Sequence, residues 1–418
     1  MTYNVINQRF LKVSTYGRDD SGSKAGTISS TPLYQWMDEK MQMLARAIAF
    51  TLLISPCFIH PVLASPFKVE TKVETVVSGL EHPWGMAFLP DGRILVTERA
   101  GRLRIVERGK LLASPVSGLP TIEPIGQGGL LDIVLHPDYQ NNGWLYFSYA
   151  EPAEGFFTTD YGTAVARAKL DGNRLKELQV IFSMNKKSGG GRHFGSRLIF
   201  DRDNFLYITT GDRGERERAQ DLGDHAGSVI RLHDDGRIPA DNPFVKTEGA
   251  HAEIYSYGHR NPQGMALHPT TGEVWLHEHG PQGGDEINRI LPGRNYGWPV
   301  ITYGENYVTG TRIGEGTHKP GMEQPLYQWT PSIAPSGMAF YTGDAFKEWR
   351  GNLFVGALKF QLLVRLELDG NKVVNEQRLL ERQLGRIRDV RNGPDGFLYL
   401  LTDADEGAIV RLLPNRKN

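Results

Sequence analysis

Three kinds of strand recur six times along this chain, always in the same order. That rhythm limits the available folds more than any other feature. One kind follows a turn and is rich in β-branched and aromatic residues. It reads DGRILVTE at 91–98, NGWLYFSY at 142–149, DNFLYITTGD at 203–212, TGEVWLHE at 271–278, RGNLFVGA at 350–357 and DGFLYLLTD at 395–403. A second kind precedes each: PWGMAFLP (83–90), GGLLDIVLHP (128–137), FGSRLIFD (194–201), PQGMALHP (262–269), PSGMAFY (335–341) and IRDVRNGP (387–394). A third follows each: LRIV (103–106), AVARAKL (164–170), SVIRL (228–232), EINRIL (286–291), LLVRLEL (362–368) and AIVRLL (408–413). A unit of strand, turn, strand, loop and strand, repeated in step, is the pattern of propeller blades. The expectation is an all-β chain folded as a six-bladed β-propeller with four-stranded antiparallel blades. Too few residues follow Gly396 to complete the sixth blade, so its outer strand is expected from the start of the mature chain, at 69–77.

The stretch 256–298, SYGHRNPQGMALHPTTGEVWLHEHGPQGGDEINRILPGRNYGW, shows what one unit can do. Polar groups sit before its first strand and after its second, so an up-down-up unit carries both sets at one edge. In a propeller, residues at these two positions of every blade converge on one funnel beside the central channel. The 48 glycines and 24 prolines agree with a turn-rich β protein. A formal charge of -1 excludes the broadly basic surface that nucleic-acid binding requires.

The N-terminus reads as three parts. Residues 1–40 are a polar extension with no legible pattern, 41–65 a secretory signal and 66–418 a single six-bladed propeller domain. Arg46 supplies the positive flank of the signal, 47–54 its apolar stretch and Val62-Leu63-Ala64 a small-residue cleavage pattern. Pro56, His60 and Pro61 interrupt the segment too early for a membrane span. Translation is therefore expected to begin at Met41 or Met43, with a periplasmic or secreted product. The only cysteine, Cys57, lies within the signal, so the mature chain has no disulfide framework.

On the funnel the blade logic places Gln127, His193, Arg260, Asn261, Arg386 and Arg388 before first strands. It places Gly280, Pro281 and Lys359 after second strands, with Glu98-Arg99, Asp212-Arg213 and Asp403 in corresponding positions. Four cations, Arg260, Lys359, Arg386 and Arg388, around the channel of a near-neutral protein suit a multiply anionic ligand. His193, preceded by Gly189-Gly190-Gly191, is the candidate base, because imidazole titrates near neutral pH. Asp285, Glu286, Tyr296 and the carbonyls of Gly280 and Pro281 offer the hard oxygen donors that calcium takes. Zinc motifs, a Walker-type loop and a GxSxG elbow are all missing from the sequence.

With these residues in hand, the chain resembles the soluble aldose sugar dehydrogenases of the glucose/sorbosone dehydrogenase family, which use pyrroloquinoline quinone (PQQ). The resemblance runs from about Val69 to Pro414. Its specific stretches are HPWGMAFLPDG, GQGGLLDIVLHP, SYGHRNPQGMA, EHGPQGGDEIN, NYGWP, GALK and RIRDVRNGPDG. It implies oxidation of an aldose at the anomeric hydroxyl to a lactone, with His193 as base and hydride transfer to calcium-bound PQQ. It further implies that Gln127 contacts cofactor or sugar, and that Arg260 and Asn261 flank the quinone oxygens. Ala357, Leu358 and Lys359, with Arg386 and Arg388, would clamp the cofactor carboxylates. Gly280 and Pro281 would hold the PQQ-bound calcium through their carbonyls, and Glu286 and Tyr296 a second, structural calcium. Tyr307 would face the cofactor, with Trp329 packed near it.

The implied partners are an aldose and an unidentified electron acceptor, for a monomer or homodimer with no stable membrane insertion. Glucose-specific relatives carry an acidic residue just before the catalytic His; here it is Arg192, which favours broad aldose use. Two rival readings remain for a propeller of this composition: a calcium-dependent lactonase or esterase, and a binding propeller without catalysis.

Overall fold

Short runs of β-branched and aromatic residues, each bounded by a Gly or Asp turn, pair into six four-stranded antiparallel sheets. The computed structural model describes residues 70–153 and 160–415. The extension and the secretory signal expected upstream lie outside the described residues.

The first five blades are continuous in sequence. The fourth, for example, runs Pro262–Leu267, Val274–Glu278, Asp285–Arg289 and Tyr327–Trp329 from the innermost strand outward. The sixth combines Ile387–Asn392, Leu398–Thr402 and Gly407–Pro414 with the N-terminal strand Thr71–Leu80, which pairs antiparallel to Gly407–Pro414. The borrowed outer strand is as expected, set slightly later than 69–77. Each innermost strand packs against those of its two neighbours, and the strands at 83–88 and 387–392 close the ring. Hydrophobic side chains fill the spaces between blades. Leu95, Leu103 and Ile105 of the first blade, for instance, meet Ile133, Phe147 and Tyr149 of the second.

Two local features shape the axis. In five blades the innermost strand shifts register near its start, at Pro83/Gly85, Leu130/Ile133, Pro262/Gly264, Pro335/Met338 and Ile387/Asp389. An extra residue there re-aims the side chains at that end of the strand. The glycine of the recurring GMA motif brings innermost strands close together. A Cβ on Gly337 would overlap the Asp389 backbone, and one on Gly264 the Ser336 carbonyl.

Deeper in the channel, a buried ionic cluster joins three blades. Arg197 Nη1 donates to Asp132 Oδ1 (3.1 Å) and to Asp389 Oδ1 (3.0 Å). Arg391 donates to the same two carboxylates at 2.6 and 2.7 Å. Two cations and two anions thus cross-link the innermost strands. Among the described residues, no helix is long and apolar enough to cross a membrane.

Candidate active site

The segment that crosses from the second blade to the third holds His193 in a left-handed conformation (φ 56°). Such a backbone persists only where its surroundings enforce it. The His193 N–H donates to Gln127 Oε1 (2.8 Å), and the Gly195 N–H to Asn261 Oδ1 (3.1 Å). Gly211 lies against the His193 carbonyl with no room for a Cβ. Arg213, buried and stacked 3.5 Å from the Phe194 ring centre, donates to the carbonyls of Gly190 and Arg192. Four residues from three blades, Gln127, Gly211, Arg213 and Asn261, therefore fix the backbone that carries the imidazole.

Asp212, in the loop after the second strand of the third blade, completes the arrangement. Its Oδ1 accepts from His193 Nδ1 (2.6 Å) and Gly214 N (2.7 Å), and its Oδ2 from Trp298 Nε1 (2.8 Å). An ionised carboxylate only accepts, so Nδ1 carries the ring proton and the Nε2 lone pair is free. Burial pushes the His193 imidazole below its ordinary value; the Asp212 hydrogen bond opposes this, and the Arg260 charge reinforces it. His193 is consequently neutral and basic at pH 7, as proton abstraction requires. It opens on a cavity of about 130 Å³ shared with Arg192, Arg216, Arg260, Trp298 and Tyr307.

The cations expected on the funnel differ in how they are used. Arg388 is buried and donates to Asp403 Oδ2 (2.7 Å) and Gln263 Oε1 (3.2 Å). Arg386, more exposed, donates to the same Asp403 oxygen at 3.1 Å. Burial pushes the Asp403 carboxyl up, but the Arg388 charge and the His82 hydrogen bond outweigh this and leave it well below the carboxylate range. One carboxylate thus serves two guanidinium groups. Lys359 is exposed and, among the described residues, has no anionic partner; its Nζ lies 5.4 Å from the Phe360 ring centre. Arg260 donates to the carbonyls of His279 (3.1 Å) and Gly280 (2.9 Å), and its buried Nε has no partner among the described residues. Ala357 and Leu358 are buried.

The oxygen-rich loop of the fourth blade divides its carboxylates by task. Asp285 accepts from the N–H groups of Gly280 (2.9 Å), Ile333 (2.7 Å) and Ala334 (3.1 Å), so it holds loops rather than offering free oxygens. Glu286 stands directly across the strand pair from Glu278, and Asn288 Nδ2 contacts both carboxylates. Like charges directly opposite on paired strands repel. Burial and the Glu278 charge together push the Glu286 carboxyl well above its ordinary value. Glu278 is already bonded to His259 Nδ1 (2.8 Å) and Arg260 N (2.6 Å). Glu278, Glu286, Gly284 and Tyr296 surround a cavity of about 10 Å³, the size of a single small occupant. The Tyr296 hydroxyl is bonded to Arg289 O (2.5 Å) and Leu291 N (2.9 Å), which leaves its main-chain carbonyl as the donor it can offer.

A second group with metal-like composition, His225, His251 and Glu253, has the wrong chemistry for an ion. His225 Nδ1 accepts from the Asn185 backbone N–H (3.0 Å), so its Nε2 must bear the proton that faces Glu253 Oε1 (2.9 Å). Metal binding at Nε2 would require an imidazolate. The group is an ordinary hydrogen-bond network in which only His225 is buried.

Of the residues expected around the cofactor, His193, Arg260, Pro281 and Tyr307 border one cavity. Gln127 and Asn261 hold the backbone at His193 and Gly195, a role their blade positions do not reveal. Trp329 lies in the outermost strand of its blade, with Nε1 donating to Glu376 (2.8 Å), and the indole lining the cavity is Trp298. Asp212 was visible only as a polar residue at the correct blade position, and Trp298 only as the end of NYGW.

The family model described as Glucose / Sorbosone dehydrogenase matches residues 80–411. Aldose sugar dehydrogenase YliI of Escherichia coli is 45% identical over 371 residues, covering 88% of this chain and 98% of the relative. The crystal structure of the soluble aldose sugar dehydrogenase from Escherichia coli in the apo-form superposes with a TM-score of 0.80 at 44% identity. It covers 83% of this chain and 100% of that one. The PQQ-bound aldose sugar dehydrogenase from Streptomyces coelicolor gives 0.66 at 29% identity, over 82% and 99%.

Proposed function

Because the chain belongs to the glucose/sorbosone dehydrogenase family, we propose that it is a PQQ-dependent aldose sugar dehydrogenase in which His193 is the catalytic base. The observation that carries this reading is the free Nε2 of a neutral, rigidly held His193 in a cavity bordered by Arg260. An anomeric hydroxyl at Nε2 can give up its proton there, and Asp212 stabilises the imidazolium that forms. Arg260 is aimed at the same cavity and favours negative charge developing on a neighbouring oxygen.

The residues present fit a flat, polyanionic cofactor. Arg386 and Arg388 share the Asp403 carboxylate, Lys359 has no anionic partner among the described residues, and the buried Nε of Arg260 has no acceptor there, which supports a polyanionic ligand at the funnel. Lys359, Arg386 and Arg388 would hold the carboxylates of PQQ, with main-chain groups of Ala357 and Leu358 beside them, and Arg260, Asn261, Gln127 and Tyr307 would border its quinone edge. PQQ, when bound, supplies the quinone that accepts hydride from C1 of the sugar. A calcium ion held by the carbonyls of Gly280 and Pro281 would add Lewis-acid polarisation. The Gly280 carbonyl already accepts from Arg260, but its second lone pair remains for an ion. The export signal expected at 41–65 would deliver the enzyme to the periplasm or outside the cell, where it would pass electrons to an external acceptor.

Reconstitution tests this reading. The protein purified without cofactor should gain aldose-dependent dye reduction only when PQQ and calcium are both supplied. Absence of PQQ binding and of dye reduction would refute it. Lys359→Ala should raise the Kd for PQQ roughly tenfold to a hundredfold, the range lost with one charge-assisted bond. Its circular dichroism should stay unchanged. An unaltered Kd would remove Lys359 from the clamp.

The second calcium, at Glu286 and the Tyr296 carbonyl, has its own signature. Without an ion, the folded protein holds on Glu286 a proton that the unfolded chain releases near its ordinary pKa of 4.5. The metal-free fold therefore loses stability as pH rises from there toward the raised value. An ion that replaces this proton restores what is lost. The increase in Tm on adding calcium should accordingly grow with pH across that window, and it should not grow in Glu286→Gln. A pH-independent calcium effect would count against the site.

A further inference from the structure

The cavity that receives the sugar carries two more cations than the chemistry at C1 needs. Arg192 and Arg216 both line it, beside His193 and Asn306. Among the described residues neither guanidinium is ion-paired or hydrogen-bonded. Neighbouring arginines are treated differently: Arg218 is bonded to Asp224 (2.8 Å), and Arg213 to carbonyls of the His193 segment. The carboxylate in the lining, Asp212, is fully engaged by His193, Gly214 and Trp298.

Arg192 is also directed. Arg213 fixes its carbonyl, and its aliphatic stem lies over Gly214, where an added Cβ would come within 3.2 Å of Arg192 Cδ. Gly214 has a positive φ of 80° and no side chain, so the stem crosses it at the cavity wall. Arg216 comes from the short 3-10 helix Arg216–Gln220 of the same loop. The charge of Arg192 is felt at the His193 ring. Both arginines are exposed and met by solvent when a neutral sugar is bound at His193, whereas an anion on the sugar would complement their charges.

We propose that this enzyme acts preferentially on aldoses that carry a carboxylate or phosphate at the end of the ring remote from C1. Arg192 and Arg216 bind that anion while His193 takes the C1 hydroxyl proton. The inference rests on the sugar-oxidising function proposed above and specifies its substrate class. The C1 hydrogen would still leave with its electron pair, as hydride, to the quinone cofactor, and the hydroxyl proton to His193, so the anion takes no part in bond making or breaking.

The test compares glucose, glucuronate and glucose 6-phosphate as substrates of the protein loaded with PQQ and calcium. It is run at pH 8, above the ordinary imidazole value. At low ionic strength, kcat/KM for at least one anionic sugar should exceed that for glucose about tenfold, the advantage of one charge-assisted contact. The advantage should shrink as salt screens the two arginines. Which anionic sugar leads distinguishes carboxylate from phosphate recognition. Arg192→Gln and Arg216→Gln should each lower the ratio of anionic to neutral kcat/KM about fivefold to tenfold. Saturation-transfer NMR gives a readout without turnover: the preferred anionic sugar should bind the wild-type protein and lose binding in the double variant. Glucose turned over as well as or better than both anionic sugars would overturn the inference and leave the dehydrogenase standing. Turnover of no aldose by the PQQ-loaded protein would overturn both.

Discussion

His193→Gln should bind PQQ as tightly as the wild-type protein yet oxidise aldoses about 10³-fold more slowly, within the range lost with a positioned general base. Glutamine can occupy the same space and accept a hydrogen bond, but it cannot take a proton at neutral pH. Asp212→Asn tests the same proton route from behind. An amide in place of the carboxylate no longer secures the Nδ1–H tautomer and no longer stabilises the imidazolium, so kcat should fall by about 10² or more. The pH profile carries the sign of the His193 shift. Its folded value lies below the ordinary 6.5, because burial and the Arg260 charge outweigh the help from Asp212. Activity should therefore be retained as pH falls to 6.5 and decline only at lower pH, as the ring gains its proton. An acid limb centred above 6.5 would mean that another group is titrating.

Asp132→Ala should destabilise the fold by about 3–5 kcal/mol, the cost of leaving buried charges without their partner. The Asp132 carboxylate accepts from Arg197 (3.1 Å), Arg391 (2.6 Å) and the Leu198 N–H (2.8 Å). Truncation would leave two arginines sharing Asp389 alone. Cross-links between innermost strands hold the ring together, so the loss should appear as a lower midpoint of the whole unfolding transition. Urea titration followed by tryptophan fluorescence measures it. A change below about 1 kcal/mol would show that the cluster is solvated rather than buried.

The propeller was legible because each blade repeats its own local chemistry: a turn, an alternating strand and a loop, six times in step. Even the borrowed strand at Thr71–Leu80 followed from counting what the sixth blade lacked. The site was half legible. Blade position alone brought His193, Arg260 and Pro281 to one cavity, without any contact being known, and the family resemblance added Tyr307. What escaped depends on how loops cross between blades. Trp298 meets Asp212 across 86 residues, and Arg391 meets Asp132 across 259. Neither pairing leaves a periodic trace in the sequence. The opposition of Glu278 and Glu286 needed the register of two strands, which their intervening loop conceals. Asp285, read as an oxygen donor for metal, is instead occupied by three backbone N–H groups. Its residue type suggested a ligand; three N–H groups already engage its oxygens and leave fewer lone pairs for an ion.

The most direct measurement is a single anaerobic turnover. Protein loaded with one equivalent of PQQ and with calcium is mixed with excess aldose in a stopped-flow spectrometer, with no acceptor present. The quinone absorbance should convert completely to that of the reduced cofactor, with one lactone formed per site, and His193→Gln should slow that conversion about 10³-fold. Bound PQQ that stays oxidised in the wild-type protein, or equal rates in both proteins, would contradict the account.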